Sequence, residues 1–514
     1  MTVSNAIEKI KDRISPEDRT AFISAFICGL LIHIPAMLMD VPNHDGLDSM
    51  YFSQNMIISG RWFLSTVCAA SSFYTVPWII GLIGMLELAL TAVLLVRIFE
   101  TKEKVSICLI SGLLVAFPSL ASTFAYVFTL DGYMAGMLLS VLAVYLVKKD
   151  HFFLGGISLA FSLGVYQAYL PFAMLLSVYG VWDVMAKGEK GSVKKCMNYL
   201  YMGITGSVLY VIILKILLKI EGKQIGTYQG GDSATAVGLS DRFASLPSMY
   251  KDFMNFTFSK GFLVGYACAA AVLVLFVCTV ISAIALIAKS GVYKKMWFYW
   301  VALLTAVLVP LSANIVMLII SDVNYHLIMR YQWVLFLIVC VALCDRCVTK
   351  EIVKKGNGIL SFAFVIAAVA VIVSYGVADN IGYTNLQRKY EKTYAYALRL
   401  LDRIESTEGY YQGIPIAMMG VISEDEYPST DITSPATSEM IGLGGDYDYL
   451  LYRADNFEAF FKYYMGATLN FVSEEEETEI YYSDEYIEME SFPGETSVKL
   501  VDGVIWVKTE NARR

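Results

Sequence analysis

Asn43-His44-Asp45-Gly46-Leu47-Asp48 puts two acids and a histidine within five residues, and Ser59-Gly60-Arg61-Trp62 follows soon after. Farther along come Asp131-Gly132-Tyr133, Tyr166-Gln167-Ala168-Tyr169, the pair Lys215 and Lys219, and the pair His326 and Arg330. Each of the last two pairs is spaced i, i+4, so on a helix its members share a face. A carboxylate can take the proton of an attacking hydroxyl. Cations can stabilise a departing phosphate, and arginine does so with two parallel hydrogen bonds. Asp45 or Asp48 would then be the base, and Arg330 with Lys215 or Lys219 would hold the phosphate. The reaction this suits is transfer of a sugar from a polyprenyl phosphate to an acceptor hydroxyl. It requires these distant segments to share one depth in a membrane.

The composition provides the membrane. The 514 residues are 57% hydrophobic, and the mean hydropathy is +0.56. Such values belong to a polytopic membrane protein rather than a soluble one. Apolar runs long enough to cross a bilayer lie near 20–39, 75–98, 105–128, 131–147, 152–169, 171–186, 197–220, 261–288, 296–320, 325–345 and 358–377. That makes about 11 transmembrane helices. Pro171 either kinks a longer helix or starts a new one, and 152–186 is too long for a single crossing.

Basic residues sort the loops. Lys9, Lys11, Arg13 and Arg19 precede the first span. Arg97, Lys102, Lys104, Lys148, Lys149, Lys187, Lys190, Lys289, Lys294, Arg346 and Lys350 fall in every second loop thereafter. Loop 40–74 holds only Arg61. The excess of bases on alternate loops predicts a cytoplasmic N-terminus, with loop 40–74 and the C-terminal region outside the cytoplasmic membrane. Loop 221–260 dissents with Lys223, Arg242, Lys251 and Lys260, but long loops count for less in that rule.

Charge also divides the chain. From Ala378 onward there are 26 acids and 11 bases; the preceding 377 residues hold 21 and 28. We therefore expect a membrane domain over 1–377 and an extracytoplasmic soluble domain over 378–514. In the latter, 384–407 reads as a charged amphipathic helix, Asn456–Met465 as a second helix, and Ile414–Val421 and Val498–Lys508 as strands. That predicts a small α/β or α+β fold. The acid run Glu474–Glu477 reads as a solvated surface. In loop 221–260, glycines in Ile225–Gly231 permit tight backbone. Leu246, Met249, Tyr250 and Phe253 then recur at helical spacing behind Pro247, which predicts a short helix lying on the membrane surface.

The run Asn43–Asp48, then Ser59-Gly60-Arg61-Trp62-Phe63, then Gly164-Val165-Tyr166-Gln167-Ala168 resembles the bacterial serotype-converting glucosyltransferase II family. Ser491-Phe492-Pro493-Gly494 and Leu500–Lys508 resemble that family's closing segment. The resemblance implies a GT-C-like membrane glycosyltransferase that uses polyprenyl-phosphate glucose to decorate a cell-surface polysaccharide such as O-antigen. By motif match the catalytic acid of the first outer loop falls on Asp45, with Asp48 second. Family members often carry two adjacent acids there, whereas here Gly46 follows Asp45.

Each residue also has a plainer reading. Asp45, Asp48 and Asp131 are good helix-capping residues. Arg61 and Trp62 suit an interfacial anchor, and Lys215 and Lys219 can snorkel. Tyr166 and Gln167 can be packing, and His33 and Glu87 can be satisfied by neighbouring helices. Binding roles for His44, Arg61, Asp131, Tyr166, Gln167, Lys215, His326 and Arg330 compete with these. A transporter or flippase for lipid-linked sugars would instead favour midplane charges and inverted repeats, and a ligase for larger lipid-linked glycans would use a similar outer surface. No cofactor is expected. Asp45 and Asp48 leave room for a divalent metal, with no closed ligand set visible. The nine cysteines form no metal or disulfide pattern, and an acidic tail argues against nucleic acid. The expected partners are a polyprenyl-phosphate sugar, a surface glycan and the bilayer.

Overall fold

A computed structural model describes residues 14–68, 75–188, 191–226, 239–320, 323–350, 352, 357–420, 437–443, 451 and 454–509. Most of the glycine run 225–231, the turn at Asp322 and Val421 lie outside the described residues.

Among the described residues, ten helices are long and apolar enough to cross a membrane. The first is α1 (Pro16–Leu38). Its N-terminus is closed by a reciprocal capping box between Ser15 and Asp18. The short helix α2 (His44–Asp48) follows in the first loop, and α3 (Pro77–Phe99) crosses back. The third span is broken. α4 (Lys104–Ala116) stops at Phe117, whose backbone is extended, and α5 (Pro118–Ala125) restarts on a proline. A residue before proline is pushed out of the helical region, which explains the break.

α6 (Leu130–Lys148) is followed by α7 (Phe152–Val165), the span that departs most from expectation. α7 has 14 residues, which at 1.5 Å each is roughly 21 Å and short of a hydrocarbon core of about 30 Å. Tyr166 is extended, Gln167–Tyr169 form a 3-10 turn, and Pro171 sits in the first turn of α8 (Leu170–Lys187). Pro171 therefore starts a helix rather than kinking one. The bundle continues with α9 (Ser192–Glu221), α10 (Leu246–Thr257), α11 (Tyr266–Ser290), α12 (Met296–Ala313), α13 (Val334–Thr349) and α14 (Asn357–Glu405).

One end of the bundle is tied by ions. Arg97 forks onto Asp18 at 2.7 and 2.8 Å. Asp183 accepts from Lys187 at 2.8 Å and Arg346 at 3.1 Å, while Glu100 meets Lys148 at 2.9 Å and Lys187 at 2.7 Å. These are bases that marked every second loop in the sequence. They are paired with acids from neighbouring helices as well as aligned to one side.

At the opposite end, α14 runs 49 residues without interruption. The junction at 377/378 falls inside it. Its later turns supply Tyr396, Ala397, Leu400, Leu401 and Ile404 to the core of the C-terminal region. There, β1 (Pro415–Met419) pairs in parallel with β2 (Asn470–Phe471) and with β4 (Val504–Lys508). β4 also pairs antiparallel with β3 (Val498–Val501), so the order is β2-β1-β4-β3. Asp502 and Gly503, both at positive φ, make the β3–β4 turn, as two-residue hairpins require. α15 (Ala454–Tyr464) packs beneath. The acid run opens α16 (Glu474–Tyr481), capped by Ser473. Its charges sit where the helix dipole favours them, which is more specific than the solvated surface expected.

Candidate active site

In the first loop, Asn43 caps α2 by accepting the Gly46 N–H at 2.7 Å. This turns His44 inward, its side chain 5% exposed, with Nε2 3.3 Å from Asp45 Oδ1. The Asp45 side chain is 45% exposed. Asp48 points elsewhere: its Oδ1 accepts from Asn456 Nδ2 at 2.5 Å, on α15. The same amide reaches the His44 carbonyl at 3.3 Å. Leu47, buried, joins the hydrophobic core of the C-terminal region. The two acids thus differ in partner rather than in exposure, one beside a histidine and the other hydrogen-bonded to α15.

The second motif folds against the third. Gly60 is left-handed at φ 75°, and a side chain there would run into Tyr210 and Gln167. Gln167 Nε2 donates to the Ser59 carbonyl at 3.1 Å and to the Tyr210 hydroxyl at 2.9 Å. Trp62 lies flat against Gly164, and the Phe63 N–H donates to the Gly164 carbonyl at 2.7 Å. Arg61 donates to the Tyr133 hydroxyl at 3.0 Å and rests 4.7 Å over the Tyr166 ring. Tyr133 and Tyr166 stack at 4.5 Å. Asp131, 1% exposed, accepts the Gly132 N–H at 2.9 Å within the first turn of α6. Arg61, Asp131, Tyr166 and Gln167, far apart in sequence, therefore surround one knot at this end of the bundle.

His326 and Arg330 do not lie on a regular helix face as expected. His326 precedes a 3-10 stretch, Leu327–Trp333, in which Arg330 has non-helical backbone. Both nevertheless line one cavity of about 150 Å³, together with Phe256, Tyr325, Ser438 and Glu439. Arg330 is 6% exposed. Its guanidinium lies 4.4 Å from the Phe256 ring centre and 4.3 Å from that of Tyr325. Nε donates to the Tyr325 carbonyl at 2.8 Å, and Nη1 and Nη2 fork onto Asp252 at 2.7 and 3.0 Å. Asn314 holds the same carboxylate at 2.9 Å. An arginine expected to await a phosphate already grips a carboxylate.

Asp252 lies on α10, the short helix expected behind Pro247. Phe253 and Phe256 pack on Trp333 at 5.8 and 4.8 Å, so that apolar face is taken by protein. Lys215 and Lys219 are exposed on α9, while its buried Leu214 and Leu218 face Ile57. The structure does not gather those lysines with Arg330. His33 is satisfied, between the Tyr383 hydroxyl at 2.6 Å and the Val115 carbonyl at 2.7 Å.

Two contributors escaped the sequence reading. One is Asp252. The other is segment 437–443, a bridge between the halves of the site. Its Gly442, at φ 81°, sits against Ala125, Tyr126 and Asn43, and its Glu439 lines the cavity beside Arg330. The glycines in Ile441-Gly442-Leu443-Gly444-Gly445 are the one signal of a close backbone approach.

In chemical terms, the first loop offers a carboxylate with an imidazole at its side, and the cavity offers a guanidinium between aromatic faces. A family model described as glucosyl transferase GtrII matches residues 34–342, which span Asp45, Arg61, Gln167 and Arg330. No curated protein and no solved structure matches the chain. Because that match covers about three-fifths of the sequence, the chain belongs to the glucosyl transferase GtrII family.

Proposed function

We propose that this glucosyltransferase takes glucose from a polyprenyl-phosphate donor and passes it to a cell-surface polysaccharide on the outer face of a bacterial cytoplasmic membrane. The observation that carries the reading is the bridge 437–443, which ties the Asp45 loop to the Arg330 cavity at one end of the bundle. A membrane-embedded donor with its phosphate at the interface suits a site at that depth. The bases at the opposite end support a cytoplasmic N-terminus, with the region after residue 377 outside. Polar groups gathered at one end also suit a GT-C-type enzyme better than a midplane transport site.

In the reaction, Asp45 accepts the proton of the acceptor hydroxyl, with His44 holding the carboxylate in place. The freed oxygen lone pair forms a bond to the anomeric carbon. The bond from that carbon to the phosphate oxygen breaks, and its electron pair leaves with the polyprenyl phosphate. Arg330 and His326 stabilise that anion. Arg61, Asp131, Tyr166 and Gln167 hold the loop bearing Asp45 against α6 and α7.

The test is donor turnover by purified protein in liposomes loaded with polyprenyl-phosphate glucose and acceptor glycan. Asp45→Asn should lower turnover by about 10²-fold or more, the usual contribution of a general base, and Arg330→Ala should abolish donor binding. Full turnover by folded Asp45→Asn would remove Asp45 from the reaction. Passage of intact donor across the bilayer without transfer would replace the enzyme reading with that of a transporter.

A further inference from the structure

The bond between Arg330 and Asp252 raises a question that the proposed function leaves open. A guanidinium carries five N–H groups. Here one goes to the Tyr325 carbonyl and two to Asp252. Both terminal nitrogens are engaged by the same carboxylate, so the forked edge that would clasp a phosphate is occupied. The cavity beside it holds one further acid, Glu439, along with Ser438 and His326. The cation is buried, lies close to two aromatic rings, and borders a cavity that His326 also lines.

The carboxylate is partly open to solvent, although its helix packs on the bundle through Phe253 and Phe256. Asp252 is on α10, in the long connection between α9 and α11, and its side chain is 26% exposed. Besides Arg330 it is held by Asn314, whose amide also reaches the Met249 carbonyl of α10 at 2.9 Å. A forked arginine–carboxylate bond has the geometry of a forked arginine–phosphate bond. The phosphodiester of the donor carries one negative charge, as the carboxylate does, so it can take that place without changing the charge beside Arg330.

We propose that Asp252 is a built-in stand-in for the donor phosphate, and that an incoming phosphate ester takes its place on Arg330 and loosens α10. The inference rests on the donor reading above. Its ligand class is a phosphate group, borne on a lipid as an ester or free as inorganic phosphate. The exchange leaves Arg330 paired in both states, which avoids an uncompensated buried cation.

The experiment measures binding of polyprenyl phosphate in nanodiscs, with inorganic phosphate as a parallel ligand, to wild type, Asp252→Asn and Arg330→Lys. Hydrogen exchange of the α10 amides is followed in wild type with and without ligand. Asp252→Asn should bind polyprenyl phosphate about tenfold more tightly, because the competing charge is gone, and Arg330→Lys should bind more weakly. Ligand should speed exchange in α10. Inorganic phosphate should reproduce both effects at higher concentration if the headgroup alone drives the exchange; a response to the lipid only assigns the exchange to the lipid-borne ester. If Arg330→Lys weakens binding while Asp252→Asn does not strengthen it and α10 exchange is slowed by ligand, the stand-in is overturned and the donor reading stands. If Arg330→Lys leaves binding unchanged, the phosphate role of Arg330 fails and the stand-in fails with it. The wild-type exchange measurement decides the matter even if Asp252→Asn does not fold.

Discussion

Asp45 and Asp48 are three positions apart, yet they meet different partners. Asp45 stands beside the His44 imidazole, whereas Asp48, also reached by solvent, is hydrogen-bonded to Asn456. Asp48→Ala should cost about 1 kcal/mol of stability through the lost hydrogen bond. It should leave donor turnover within a few-fold of wild type, while Asp45→Asn does the reverse. Thermal unfolding and turnover, measured on both variants side by side, check this; a melting point lowered equally by both would refute the division. The short motif was legible in the sequence as a source of carboxylates. Which carboxylate meets α15 was not, because Asn456 lies 408 positions away.

Helix ends carry the next level of organisation. At the basic end, Glu100 is partly buried, which by itself would raise its pKa, but hydrogen bonds and charge from Lys187 and Lys148 outweigh that and lower it to about 2. A depressed carboxyl contributes stability above its ordinary value of 4.5. That contribution is lost as pH falls from about 4.5 toward about 2. Glu100→Gln should therefore be less stable than wild type at neutral pH, and the difference should shrink to nothing through that window. Unfolding of the two proteins across pH 7 to pH 2 measures it; a difference independent of pH would show that Glu100 acts through packing alone. Sequence patterning located the ends of these helices by their bases. The run lengths hid that α7 is short and that the third span is two helices; Pro118 was the signal for the second, while the first follows from a backbone break at Tyr166.

Among the described residues, the C-terminal region meets the membrane bundle through the continuous α14, the packing of α15 on the first loop, and segment 437–443. Gly442 makes the last of these close. A Cβ there would meet Ala125 and Tyr126, and its φ of 81° disfavours any other residue. Gly442→Val should push the segment off the first loop. Donor turnover should fall at least tenfold while the bundle and the C-terminal region each remain folded. Limited proteolysis of segment 437–443 alongside the transfer assay reads both effects; unchanged turnover with normal protection would show that the bridge is dispensable.

The amino-acid sequence by itself determined the membrane class, the approximate spans, the side on which the bases fall, and the motifs that carry the family. These depend on composition, hydrophobic run length and charge alternation, which the solvent reads residue by residue. Tertiary structure alone decided which polar groups are engaged. Arg330 meets Asp252 from 78 positions away, Gln167 clasps Ser59 from 108 away, and Gly442 lies on Asn43. A buried guanidinium or carboxylate takes the partner that geometry delivers, and that geometry exists only once the helices have packed.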